Sequence, residues 1–214
     1  MGFRTRSQKA RSLRYFVYIS DVKVDMFLEQ ISEPTRRSIA AELKLDFKLI
    51  SLTLTGPLVD GQQRKRSRMA KLAVVEDYIR RNHELGDLTS ARGYIAADAE
   101  LDWKPLDDNE TVLFCGYEER LLIVLGGSVS HLMGRPSSSA QLGSHPHTIR
   151  AAVLGDPHAS PAGLGHNLQL AARAVCTTPQ AVRFIAHVIS RGPLAGDSQS
   201  EYLLATPVFV EVIG

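Results

Sequence analysis

The sequence is short of cysteine, of long apolar runs and of net charge, and the first two shortages each exclude a class of protein. Two cysteines cannot form the disulfide framework of a small secreted domain, so a reduced cytosol is the simpler setting. No apolar run approaches the roughly 20 residues that a membrane-spanning helix needs. The apolar stretch near the N-terminus contains Arg14 and lacks a small-residue cleavage site, which disfavours a signal peptide. We therefore expect a cytoplasmic protein without a membrane segment.

What is present is typical of a globular chain. Hydrophobic residues make up 44% and charged residues 22% of the 214 positions, which excludes collagen-like, coiled-coil and wholly disordered proteins. This length suffices for a sizeable hydrophobic core. Residues 1–12 carry basic side chains without an acid, and we expect them to form a disordered tail. The remaining residues, 13–214, are expected to form a single domain.

The net charge of +2 conceals two basic segments. The first is the N-terminal tail, and the second holds Arg64, Lys65, Arg66 and Arg68. Basic clusters can bind nucleic-acid phosphates. Neither segment has the interleaved aromatic residues of a single-strand binding platform. We interpret both as solvated surface, with the second in a loop before a helix, and do not expect nucleic-acid binding.

Hydrophobic periodicity and turn residues predict the order of the elements. Strands are predicted at residues 13–19, 47–55, 93–103, 111–117, 120–125 and 202–213. Helices are predicted directly after residue 20, at 35–44, at 67–84, and twice beyond the Gly/Pro/Ser/His-rich segment 126–162. The last helix, from Thr178 to Ile189, is predicted from an N-cap with a following proline and from an apolar stripe.

These elements alternate without regular βαβ spacing, which favours an α+β fold. We expect a mainly antiparallel sheet with helices packed on one face and one long irregular Gly/Ser/His loop at about 126–163. Pro207 removes a hydrogen-bond donor from the last strand, which is therefore expected to lie at an edge or to be broken. An exposed edge there would allow pairing in a homodimer.

The first candidate site is the segment that follows Leu125. Glycine there lets backbone N–H groups point at an anion, and Ser128, His131 and Arg135 offer side-chain donors. The predicted ligand-binding residues of this segment are Gly126, Gly127, Ser128, His131 and Arg135. His131 is also the best candidate for a catalytic residue. The alternative is a glycine turn that takes the chain out of the sheet, because the motif is neither a Walker loop nor a dinucleotide fingerprint.

The second candidate is a group of histidines within 22 residues, namely His145, His147, His158 and His166. A His-x-His pair places two imidazoles on one face of an extended segment, and such a set suits zinc. The spacing matches no established metal signature, and a solvated loop explains these residues equally well. We predict no cofactor, with zinc as the alternative.

The third candidate is the start of the first helix. Asp21 and Asp25 lie one turn apart and Lys23 lies on the other side. The two acids can clamp a cation or a basic partner, although acids in a first turn also complement the helix dipole. The two cysteines show no catalytic signature: Cys115 is expected to be a small buried hydrophobic residue, and Cys176 ends a helix.

Four stretches resemble an uncharacterised family of actinobacterial proteins that carries only a domain-of-unknown-function label. They are the opening segment from Arg14 to Met26, Trp103 with Phe114-Cys115-Gly116, Leu125 to Ser128 with His131 and Gly134, and Leu204 to Val210. The resemblance spans nearly the whole chain and implies a bacterial cytosolic α+β protein, associated with signalling or conflict systems. The chain departs from the pattern of this family in its longer basic N-terminus, and the resemblance supplies no activity. It marks the opening aspartates and the segment from Gly126 to His131 as a shared site.

We expect a non-catalytic module that binds a small anionic ligand or a protein partner through the segment after Leu125. A long Gly/Ser/His segment on a regular scaffold, without a catalytic grouping, favours this interpretation. The alternative is a small hydrolase or transferase. It would use His131 as acid or base, Gly126 and Gly127 as oxyanion donors and Arg135 as substrate clamp, with or without a metal ion.

Overall fold

A computed structural model describes residues 14–51, 61–90, 92–106, 110–133, 161–194 and 196–214. The strands are β1 (Tyr15–Ile19), β2 (Tyr94–Pro105), β3 (Thr111–Glu118), β4 (Leu121–Ser128), β5 (Gln180–Leu194) and β6 (Asp197–Val212). The helices are α1 (Asp21–Gln30), α2 (Glu33–Glu42), α3 (Phe47–Ser51), α4 (Gly61–Asn82) and α5 (Pro161–Val175), with a 3₁₀ turn at Val129–His131. The predicted N-terminal tail and most of the predicted loop lie outside the described residues.

Five of the strands close into a barrel. The sheet runs in the order β1-β6-β4-β3-β2-β5, and β5 pairs in turn with β6, which closes the ring of β6, β4, β3, β2 and β5. The pairs are antiparallel except β4 with β6, which is parallel. The prediction of a mainly antiparallel sheet with helices on one face is therefore wrong, because the strands form a closed, mixed barrel. Strand periodicity cannot show closure, because closure depends on pairing between strands that are distant in the sequence.

The side chains that the described strands send into the barrel form a packed apolar core. Alternate residues of each strand point inward, as in β2 with Ile95, Ala99 and Leu101 and in β6 with Leu203 and Ala205. This period of two is the pattern that a strand needs to send one set of side chains to one face.

Helices cover the outside of the barrel on two separate faces. Helices α1 to α4 pack against β1, β5 and β6 around Phe16, Ile185 and Phe209. Helix α5 packs against β3, β4 and β6 around Leu168, Val124 and Tyr202. Among the described residues, none of the helices combines the length and the apolar composition that crossing a bilayer requires.

Two elements differ from the sequence-based prediction. The segment predicted as a helix from Thr178 to Ile189 belongs to strand β5, and the strand predicted at 47–55 begins as the short helix α3. In β5, Val182 and Ala186 point into the barrel, whereas Ile185 and Ile189 contact the outer cores. Because both faces of the strand are covered, its apolar residues coincide with a helical stripe.

Candidate functional site

Strand β6 changes its neighbour at one end of the barrel. It pairs with β4 up to Ala205 and with β1 from Phe209 onward, and Pro207 lies between the two ladders. The carbonyl oxygen of Val208 accepts the Ser20 N–H at 2.8 Å, and that of Pro207 accepts the Lys23 ammonium at 2.9 Å. β6 is continuous from Asp197 to Val212 and has neighbours on both sides, so the prediction that Pro207 places it at an edge or breaks it is wrong. Pro207 instead lies in the gap between the β4 and β1 ladders, where a hydrogen-bond donor is not needed.

Polar side chains from five elements meet where β6 changes its neighbour. We call them the polar cluster: Tyr18 of β1, Asp21 and Lys23 of α1, Arg68 of α4, His131 of the 3₁₀ turn and Thr206 of β6. Three of the predicted site residues therefore lie together: Asp21, Lys23 and His131. His131 is about 110 positions from the other two in the sequence.

His131 is buried and its ring faces Tyr18. The Tyr18 hydroxyl lies 3.3 Å from His131 Nδ1, and the two rings meet edge to face. Burial, together with the charges of Arg68 and Lys23, lowers the pKa of His131 to about 4. His131 is therefore neutral at pH 7 and can hydrogen-bond a ligand, but it is a weak general base.

Tyr18 explains the glycine at position 127. A Cβ atom at Gly127 would lie 2.4 Å from the Tyr18 hydroxyl oxygen, so only glycine leaves room for the phenol ring. Gly126 and Gly127 lie in β4, paired with Leu113 and Val112 of β3, and do not form a loop. Burial raises the pKa of Tyr18, while hydrogen bonds with the Ser128 backbone and the Ser20 side chain oppose the rise.

Ser128 ends β4 and caps the turn that carries His131. Its hydroxyl accepts the Ser130 N–H at 3.4 Å. The chain then returns beside β1, where the Met133 N–H donates to the Val17 carbonyl at 2.9 Å. These bonds fix the position of His131 next to Tyr18.

Arg68 joins the parts of the site. Its guanidinium donates to the Ile19 carbonyl at 2.6 Å, lies 2.6 Å from the Asp21 carboxylate, and reaches the His131 carbonyl at 3.4 Å. Asp21 keeps a side-chain exposure of 47%. Partial desolvation raises the pKa of Asp21, and Arg68 opposes that rise.

Asp25 lies outside the polar cluster. It pairs with Lys71 at 2.9 Å, so the two aspartates of α1 bind two cations of α4. Helix α4 of the same chain is thus the basic partner of these acids, and their pairing docks the two helices.

Lys23 has an unusual environment for a lysine. Its ammonium donates to the Thr206 hydroxyl and to the Pro207 carbonyl, and it forms no ion pair with a carboxylate of the described part of the chain. Burial lowers the pKa of Lys23 to about 7. The amine therefore gains or loses a proton near neutral pH. When it is protonated, its hydrogen-bond partners among the described residues are two neutral oxygens.

The other predicted residues do not join this cluster. Arg135, His145, His147 and His158 lie outside the described residues. His166 is exposed on α5, which covers the other face of the barrel. Within the described ranges no group of three or more metal-ligating side chains comes together.

Tyr18, Arg68 and Thr206 were not predicted as site residues. Tyr18 has the position of a core residue in a strand, and Thr206 has no distinguishing signal except its place before Pro207. Arg68 belongs to the basic segment that was interpreted as a solvated loop. That segment is instead part of helix α4, and this places Arg68 against β1.

Comparison with known proteins gives a family and nothing further. A family of unknown function, DUF7019, matches residues 14–214, which is nearly the whole chain. No curated protein and no solved structure matches the chain.

Proposed function

The chain belongs to the DUF7019 family, and we propose that it binds a small anionic ligand at the polar cluster through Lys23 and Arg68. One observation carries the proposal. A partly buried lysine faces two neutral oxygens, with no carboxylate of the described residues paired to it. A charge buried in this way is costly, and an anion beside it offsets the cost.

The charge balance of the cluster supports an anion. Asp21 compensates Arg68, and His131 is neutral at pH 7. Protonated Lys23 therefore leaves one uncompensated positive charge. The amine uses one of its three donors on Thr206 and one on Pro207, so a third remains for a carboxylate or phosphate oxygen.

The arrangement of β4 disfavours catalysis by the segment after Leu125. Tyr18 fills the space over Gly127, which leaves no room there for an oxyanion. A histidine with a pKa of about 4 is also a poor base at neutral pH.

A hydrolase or transferase is the second candidate, and a different pair of residues favours it. The Lys23 amine contacts the Thr206 hydroxyl, and an amine with a pKa near 7 can accept a hydroxyl proton at neutral pH. In this alternative Thr206 is the nucleophile and Lys23 the base. Thr206→Val then abolishes turnover, whereas anion binding alone tolerates this substitution.

Calorimetric titration with inorganic phosphate and with adenosine monophosphate tests the binding proposal. Lys23→Met is expected to weaken the affinity about tenfold or more, because it removes a charge-assisted hydrogen bond. Lys71→Met is the matched control, since Lys71 pairs with Asp25 outside the cluster. Equal losses in the two variants, or no saturable binding of either probe, would contradict the proposal.

The same titration at several pH values gives a second readout. A bound anion requires the ammonium form of Lys23, so binding above pH 7 takes up a proton. We expect the affinity to fall by up to about tenfold per pH unit between pH 7.5 and 9. Affinity that is independent of pH in this range would exclude Lys23 as the binding residue.

A further inference from the structure

The two cysteines lie against each other on the face of the barrel that α5 covers. Cys115 is in the middle of β3 and fully buried, and Cys176 is the first residue after α5 and only partly buried. Both are free, and both belong to the apolar cluster under α5, where each thiol shifts the pKa of the other. Sixty positions of sequence separate them, so the fold brings them together.

Asp102 holds the chain beside Cys176 in place. It lies directly opposite Cys115 in the ladder between β2 and β3. Its Oδ2 accepts three hydrogen bonds, from the Thr177 N–H at 2.7 Å, the Thr177 hydroxyl at 2.8 Å and the Thr178 N–H at 2.8 Å. The Cys176 N–H donates to the Ala172 carbonyl at 2.8 Å. The backbone is therefore fixed on both sides of Cys176, which holds this residue against the cluster that contains Cys115.

We propose that Cys115 and Cys176 are a redox-active dithiol that closes reversibly to a disulfide. This modification site is on a different face from the polar cluster and does not depend on the proposed ligand. A fixed backbone and neighbouring thiols favour an intramolecular disulfide, and the partial exposure of Cys176 gives an oxidant access to it.

The environments of the two thiols assign their roles. The hydrogen bond from Cys115 lowers the pKa of Cys176, although burial and the Asp102 charge oppose it. The same contact, followed by burial, raises the pKa of Cys115. Cys176 is thus the more acidic and the more accessible thiol, and it attacks an oxidant first, whereas Cys115 resolves the product.

The reaction balances with a peroxide as the oxidant. The Cys176 thiolate attacks one oxygen of hydrogen peroxide, the O–O bond breaks, and the departing hydroxide takes a proton to leave as water. The sulfur of Cys115 then attacks the resulting sulfenic acid and displaces hydroxide, which takes the Cys115 proton and leaves as a second water. Two thiols are oxidised and one peroxide is reduced. A small dithiol reverses the bond by exchange.

Mass spectrometry of the full chain tests the proposal. Reduced protein is treated with hydrogen peroxide at neutral pH, unfolded, and alkylated with a maleimide. The wild type is expected to lose two hydrogen atoms, to resist alkylation and to yield one peptide pair linked through Cys115 and Cys176. Treatment with dithiothreitol is expected to restore both thiols.

Two single variants separate the roles of the thiols. In Cys115→Ser, Cys176 is expected to stop at a sulfenic acid that dimedone traps. In Cys176→Ser, Cys115 is expected to stay reduced at the same dose because it is fully buried. Asp102→Asn keeps both thiols and is expected to slow closure several-fold, since it weakens the three hydrogen bonds beside Cys176.

The wild-type result alone decides the proposal, whether or not each variant folds. Two alkylatable thiols in the wild type after treatment with excess hydrogen peroxide would overturn it. So would a disulfide between two chains in place of one within a chain. Anion binding is unaffected by either outcome, so failure here is distinguishable from failure of the proposed function.

Discussion

At the scale of single residues, the polar cluster is defined by groups whose charged forms are disfavoured by their surroundings. Lys23 and His131 both have a pKa below their ordinary values, and burial is the main cause for each. Functional sites concentrate such groups. Because the folded and unfolded states then bind protons differently, each group also makes the free energy of unfolding depend on pH.

His131 is expected to weaken the fold in mild acid. Its folded pKa of about 4 lies below the ordinary 6.5. Between these pH values the imidazole is protonated in the unfolded state and neutral in the folded state. The stabilisation is complete above pH 6.5 and is lost as the pH falls towards 4, at a cost of about 3 kcal/mol. Urea unfolding of His131→Gln should show a smaller loss over this range. His166→Gln, on exposed α5, should follow the wild type, and a His131→Gln curve that also follows it would refute the assignment.

Lys23 is expected to make the free energy of unfolding depend on pH in the alkaline range. Its pKa is about 7 in the fold and 10.5 ordinarily, so between these values the unfolded state holds the extra proton and the free energy of unfolding rises with pH. Relative to Lys23→Met, the wild type should gain up to about 1.4 kcal/mol per pH unit between pH 7.5 and 9.5. Urea unfolding in buffers without phosphate measures this. Lys71→Met should show no such gain, and a pH-independent difference for Lys23→Met would contradict the buried amine.

The sequence predicts part of the site for a physical reason. Asp21, Lys23 and His131 stand out because charged or titratable residues flank the ends of apolar strands. Arg68 and Thr206 do not, since their roles arise only when α4 docks on β1 and when β6 changes from β4 to β1 around Pro207. Contacts between elements that are distant in the chain leave no local signal.

At the scale of elements, β5 shows why periodicity misled the prediction of a helix. Val182 and Ala186 face the barrel interior while Ile185 faces α1 to α4, so the apolar residues do not alternate with polar ones. Strand β2 is predicted correctly because its inward residues keep the period of two over most of its length, whereas β3, which is covered on both faces, is delimited by the polar loops beside it. A strand covered on both faces cannot be told from a helix by its apolar pattern alone.

The packing of β1 against β4 gives a prediction for the glycine of the predicted loop. A methyl group at Gly127 would clash with the ring of Tyr18, which is 1% exposed and cannot move aside. Gly127→Ala is therefore expected to lower the free energy of unfolding by about 1–3 kcal/mol. The double variant with Tyr18→Val should recover part of the loss, because the clash is relieved. Additive losses in this double-mutant cycle, measured by urea unfolding, would disprove the contact.

At the scale of the whole molecule, ring closure is what the sequence could not predict. Each strand except β5 has its own local signature, but the pairing of β5 with β6 and the parallel pairing of β6 with β4 join distant segments. The long β6 pairs with three neighbours, and Pro207 lies where its neighbour on one side changes from β4 to β1. The polar cluster therefore lies where the topology leaves backbone oxygens without a strand partner.

A disulfide between Cys115 and Cys176 would act on the whole chain through its unfolded state. It closes a loop of about 60 residues, and the entropy removed from the unfolded chain corresponds to roughly 4 kcal/mol. The two cysteines are already neighbours in one apolar cluster of the reduced fold, so we expect little strain to offset this gain. Peroxide-oxidised wild type should therefore unfold at a higher urea concentration than the reduced protein, with a smaller dependence of the free energy on urea, because the cross-linked unfolded chain exposes less surface. Cys176→Ser treated with the same peroxide should show neither change. An oxidised wild type that unfolds at a lower urea concentration would mean that the bond distorts β3 or α5, and the sulfur atoms would then not be prearranged for closure.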